Sequence, residues 1–142
     1  MSTSKAYLRQ IKGISFAGKS DSNNWVTMDG PEKFGGEGAG NRPKELLLLG
    51  LAGCTASDVT SILKKKRVKL DDFEINISAE MTEDHPKVFT KIDLEYVFYG
   101  DIIAEKDVER AIDLSQTSYC GVTAMLEKVL TINHSYRIEK AK

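Results

Sequence analysis

The sequence predicts an α+β domain in which an antiparallel sheet packs against a long central helix. Two observations predict it. Strand-like segments come in pairs separated by helical ones, in the order ββ, long helix, ββ, two helices, β. The 142 residues, with 41% apolar and 29% charged side chains, are one domain's worth of ordinary globular chain, and no internal boundary or repeat is visible.

Strand text opens the chain. AYLRQIKGISFAG carries Tyr7, Leu8, Ile11, Ile14 and Phe16 in partial alternation, and Gly13 reads as a bulge within it. SDSNN reads as a turn and WVTMDG as a short second strand. The Gly-rich stretch DGPEKFGGEGAGNR, residues 29–42, is expected to be a flexible loop. Pro43 then suits the first turn of a helix running to Arg67. Its apolar residues recur at three- and four-residue spacings, and LKKKR puts cations at its end. Gly50 and Gly53 fall mid-helix, which suggests close packing around that turn.

DDFEINISAEM and KVFTKIDLEYVFYG alternate as strands around the hairpin loop TEDHPK. IAEKDVERAIDLS reads as an amphipathic helix with Val108, Ala111, Ile112 and Leu114 on one face. Ser115 or Ser118 is expected to cap a further helix, YCGVTAMLEKVL, before the final strand TINHSYRIEK.

Composition excludes several function classes. A net charge of −1 gives no bulk attraction to nucleic acid or anionic membrane. The aromatic residues are dispersed and form no stacking platform. The apolar run Leu46–Ala52 is too short to span a bilayer, and the N-terminal residues show no secretory pattern. A reducing cytoplasm is therefore the expected compartment. His85 and His134 lack the spacing of a metal site, and GGEGAG lacks the lysine of a phosphate-binding loop. Neither a metal nor an organic cofactor is expected.

Chemistry is left to two cysteines, Cys54 in LLLLGLAGCTASDVTSIL and Cys120 in TSYCGVTAML. The commoner fate of a cysteine in an apolar helix is packing as a small hydrophobe. Against that, Gly53, Thr55 and Ala56 leave room beside Cys54. Cys120 falls in the expected first turn of a helix, where unpaired N–H groups stabilise a thiolate. The separation of 66 positions excludes a CxxC motif.

RPKELLLLGLAGCTASDVTSILKKKRV together with ERAIDLSQTSYCGVTAML resembles the OsmC/Ohr family of osmotically induced and organic hydroperoxide resistance proteins. The resemblance covers nearly the whole chain in order. It implies an OsmC-like fold, an intertwined homodimer and a thiol-dependent peroxidase. By it, Cys54 attacks an organic hydroperoxide and becomes a sulfenic acid. Cys120 resolves that acid as a disulfide, and a dithiol, of the lipoyl kind in the family, reduces the disulfide. The substrate pocket is expected along Leu47, Leu51 and Met125. A dimer would also cover the leucine-rich circumference of the central helix.

The chain departs from the family pattern at the thiolate's helpers. Lys44 follows Pro43 where the peroxidases carry a glutamate, and Glu45 comes one position, about 100° of helix, later. Glu45 is the accessory candidate, with service to the helix N-terminus as its other reading. Lys19 and Arg42 are the nearest candidates for the family's arginine, and both also suit solvated surface. These departures keep a second function class open, a dimer that binds a small apolar or thiol-containing ligand without turnover. Unreactive structural cysteines are the third.

Overall fold

The computed structural model describes residues 1–141. The chain forms two compact units, Met1–Leu48 and Leu49–Lys142.

The first unit is a three-stranded antiparallel meander, β1 (Ala6–Lys12), β2 (Ser15–Ser20) and β3 (Val26–Met28), with β2 in the centre. Gly13 is not a bulge inside one strand. It sits at φ +55° in the turn between β1 and β2, a left-handed conformation that glycine adopts without steric cost. The single alternating run was therefore two strands of a hairpin, paired Tyr7 with Lys19 and Leu8 with Gly18.

The Gly-rich loop is organised rather than flexible, and Asp29 organises it. Its buried carboxylate accepts from Ser15 Oγ at 2.7 Å and from the backbone N–H groups of Gly30 (2.7 Å), Glu37 (3.2 Å) and Ala39 (3.1 Å). These bonds favour the ionised form and hold the Asp29 carboxyl down at about 2, the Ser15 bond contributing most. Gly36 is required here, because a Cβ at that position would collide with the backbone carbonyl of Gly30.

Helix α1 (Pro43–Lys65) begins in the first unit and runs into the second. Arg42 is its N-cap. Glu45 N–H bonds the Arg42 carbonyl at 3.0 Å, while the Glu45 carboxylate accepts from the Arg42 N–H at 3.3 Å, as in a capping box. Leu51, Thr55, Val59 and Leu63 recur every four residues as its buried stripe. Leu47 and Leu49 lie elsewhere on its circumference and are 50% and 53% exposed. The helix stops at Lys65, and the turn that follows carries Arg67 at φ +60°, with Val68 N–H reaching back to the Leu63 carbonyl. Taken as a whole helix rather than an uninterrupted run, α1 has the length and composition to cross a membrane. Only its stripe of Leu51, Thr55, Val59 and Leu63 is buried, and the rest of its circumference is half-buried or exposed. No close packing surrounds Gly50 or Gly53, since a Cβ at either meets nothing within 4 Å in this chain.

In the second unit, β4 (Asp72–Met81) pairs antiparallel with β5 (Phe89–Tyr99), as the hairpin predicts. The last strand, β6 (Thr131–Glu139), lies parallel to β5 on its other side. The fold thus has two separate three-stranded sheets, one of them mixed, rather than a single antiparallel one. The parallel pairing follows from the helical crossover between β5 and β6. As the central strand, β5 supplies more of the core than any other element, through Ile92, Leu94, Tyr96, Val97 and Phe98. Phe73 stacks on Phe98 across the strand pair, their rings 4.9 Å apart. Helix α2 (Glu105–Leu114) buries Val108, Ala111 and Ile112.

After α2 the chain makes a π-turn over Ser115–Tyr119, closed by Cys120 N–H bonding the Ser115 carbonyl at 2.8 Å. The helix that follows, α3 (Gly121–Leu126), is shorter than the sequence suggests. Neither serine caps it. Cys120 is its N-cap, and its sulfur accepts from Thr123 N–H at 3.4 Å.

Candidate functional site: a cysteine pair on a buried polar chain

Helix periodicity places Cys54 and Asp58 one turn apart on one face of α1, since residues four apart share a face. The π-turn delivers Cys120 to the same spot. The sulfurs of Cys54 and Cys120 and a carboxylate oxygen of Asp58 all lie within 4.8 Å of one another. Both thiols are free, Cys54 half-buried and Cys120 buried. The two expected site cysteines are therefore together, although they lie 66 positions apart in sequence.

Burial pushes the Cys120 thiol above its ordinary range. The Thr123 side chain and N–H pull it down, but burial together with neighbouring Cys54 outweighs them. The expected thiolate-stabilising N–H is present, and it does not win.

Around the pair runs a chain of hydrogen bonds not anticipated from the sequence. Thr55 Oγ1 lies 2.7 Å from both Tyr96 Oη and Ser115 Oγ. Ser115 donates to Asp58 Oδ2 at 2.9 Å. Gln116 Nε2 donates to Tyr96 Oη at 2.9 Å and to Thr55 Oγ1 at 3.1 Å, and its Oε1 accepts from Thr123 Oγ1 at 3.3 Å. Proton counting fixes the directions. A hydroxyl has one hydrogen, and Ser115 spends its own on the carboxylate. Thr55 must then donate to Ser115, and Tyr96 to Thr55. Tyr96 therefore acts as a neutral phenol, and burial raises its pKa in agreement. Thr55, Tyr96 and Ser115 are completely buried, and among the described residues no buried side-chain polar atom lacks a partner.

The other sequence candidates have partners of their own. Glu45 is engaged at the start of α1. Lys19 donates to Asn23 Oδ1 at 2.8 Å and lies over the Trp25 ring. Arg42 Nη1 reaches the Gly40 carbonyl at 3.5 Å. Of the expected pocket residues, Leu51 is fully buried and Met125 exposed. An open cavity of about 450 Å³ lies beside Asp58, with Ser61, Ile62, Lys65, Leu114 and Tyr119 among its walls. Sequence reasoning missed Asp58 altogether. Its signal was present: an acidic side chain four residues after Cys54, one of only two in the helix.

Comparison with known proteins identifies the family and the fold. The family model for OsmC-like protein matches residues 35–135. Protein YhfA of Escherichia coli strain K12 is 38% identical over 137 residues, 96% of this chain and 99% of that one. A hypothetical protein of Aquifex aeolicus VF5 is 31% identical over the full length of both chains, with a TM-score of 0.87. The organic hydroperoxide resistance protein OsmC of Legionella pneumophila shares the fold at a TM-score of 0.70, covering 96% of this chain and 97% of that one at 15% identity.

Proposed function

This chain belongs to the OsmC-like protein family, and on that premise we propose that it is a thiol-dependent peroxidase that reduces organic hydroperoxides. One observation carries the reading: two free cysteines have their sulfurs within 4.8 Å. Cys54 is the nucleophile because it is the more accessible of the two. Its sulfur attacks the distal oxygen of the hydroperoxide, the O–O bond breaks, and the alcohol leaves. Cys120 then attacks the sulfenic sulfur, an S–S bond forms, and the hydroxyl leaves as water. A dithiol reductant returns both thiols by exchange. Closing the disulfide requires the sulfurs to approach from within 4.8 Å to about 2.05 Å.

Glu45 is an accessory in this reading. It holds the start of the helix that carries Cys54. The working form is a homodimer, supported by the exposed Leu47 and Leu49 of the central helix. The compartment is the cytoplasm, where such a dithiol is kept reduced.

The experiment is a thiol titration of the reduced protein before and after one equivalent of cumene hydroperoxide, with mass spectrometry of tryptic peptides. Loss of two thiols and a linked Cys54–Cys120 peptide is the expected result. In Cys120→Ser the cycle stops at a Cys54 sulfenic acid that dimedone traps. Survival of both thiols in excess peroxide would overturn the reading, and the second function class, ligand binding without turnover, would take its place.

A further inference from the structure

The same corner of the fold holds a third group for which the disulfide cycle has no use. Asp58 turns its carboxylate toward the two sulfurs from one helical turn beyond Cys54. A carboxylate there works against thiolate formation, because like charges in a partly buried site repel. Thiolates beside that carboxylate are stabilised by a positive charge. The cations at the edge of the site are lysines. Lys65 lines the neighbouring cavity, and Lys66 is paired with Asp107 at 3.6 Å.

We infer that Cys54, Asp58 and Cys120 form a binding site for a thiophilic divalent cation of the zinc type. Cys54 and Asp58 present their ligand atoms at i and i+4 on α1, and Cys120 closes the triangle from the N-cap of α3. Two Zn–S bonds of about 2.3 Å at a tetrahedral angle hold their sulfurs about 3.8 Å apart. Coming from within 4.8 Å, the ligands move by no more than about 1 Å. Thiolate sulfur selects zinc and its heavier congeners over magnesium or calcium. The outer shell is already built. Ser115 donates to Asp58 Oδ2 and is itself held by Thr55, which orients the carboxylate. On binding, two metal–sulfur bonds and one metal–oxygen bond form, and each thiol that starts protonated releases its proton to buffer. Histidine spacing, the basis for expecting no metal, is silent about a site of this kind.

The metal and the disulfide require the same sulfurs, so they exclude one another. A bound cation would withhold both thiols from peroxide.

The test uses the full-length wild-type protein, reduced and kept anaerobic, and needs no peroxide. It is titrated with Co²⁺ and Cd²⁺ while sulfur-to-metal charge-transfer absorption is followed. Zinc affinity is then measured against a chromophoric chelator. One ion per chain with thiolate charge-transfer bands is expected, and none for the disulfide form. Asp58→Asn keeps the Ser115 bond and the bands, and lowers affinity by at least the roughly 10–100-fold that an outer-shell partner is worth. Cys120→Ser loses a thiolate from the spectrum. Absence of the bands in the reduced wild type would overturn the inference. So would equal affinity of Asp58→Asn, or half an ion per chain, which would place the metal between subunits.

Discussion

Ser115, completely buried at the start of the π-turn, gives its one hydroxyl hydrogen to the Asp58 carboxylate at 2.9 Å. That donation polarises everything behind it. Thr55, Tyr96 and Gln116 line up as successive donors toward one anion, and Gln116 in turn accepts from Thr123, whose N–H caps onto Cys120. Helix α1, strand β5 and the π-turn are thus tied at the point where the two cysteines meet.

The centre of that chain is its weakest place to lose. Thr55→Val keeps the volume but removes the hydroxyl, leaving the buried Tyr96 O–H and a Ser115 lone pair without their partner. A loss of about 1–3 kcal/mol is expected in urea unfolding, the cost of a buried unsatisfied group. Thr55→Ser restores most of it. Equal stability of the valine variant would mean that the hydroxyls find other partners.

The acid limb of stability is tied to Asp29. Its folded-state pKa is depressed to about 2 from an ordinary 3.8. Its contribution is therefore fully present above pH 3.8 and is lost as pH falls toward 2. Melting temperatures of wild type and Asp29→Asn are expected to differ at neutral pH and to converge across that window. A constant difference down to pH 2 would show that the charge is not what organises the loop.

Disulfide closure in the proposed cycle has a pH signature. Burial, with Cys54 beside it, pushes the Cys120 thiol above its ordinary range. Only its thiolate attacks a sulfenic acid, so the closing rate is expected to rise about tenfold per pH unit through the neutral range. Stopped-flow decay of the sulfenic acid after one equivalent of peroxide measures it. A rate already flat at neutral pH would place Cys120 in its thiolate form.

Glu45 acts through the helix start. Glu45→Gln preserves the bond to the Arg42 N–H and is expected to be neutral. Glu45→Ala costs about 0.5–1 kcal/mol, as capping residues do. Thiol reactivity of Glu45→Gln with peroxide should match wild type. A large loss in Glu45→Gln with unchanged stability would give the charge a direct part at Cys54.

Much of this protein is determined by sequence alone. The order of elements, the span of α1, the β4–β5 hairpin and the face of α2 are set by local periodicity, which a single segment carries by itself. The two cysteine motifs are equally local, and they suffice to mark the family. Tertiary structure decided the rest. Whether Gly13 bends inside a strand or between two depends on which residues pair. Whether β6 runs parallel depends on how the crossover packs. Asp29 became the organiser of its loop, and Asp58, Thr55, Tyr96, Ser115 and Gln116 became one hydrogen-bonded chain through contacts between distant parts of the sequence. A hydroxyl or carboxylate carries no mark in sequence of the partner it will find. Only burial, which makes an unpaired polar group costly, selects the partner, and burial exists once the chain has folded.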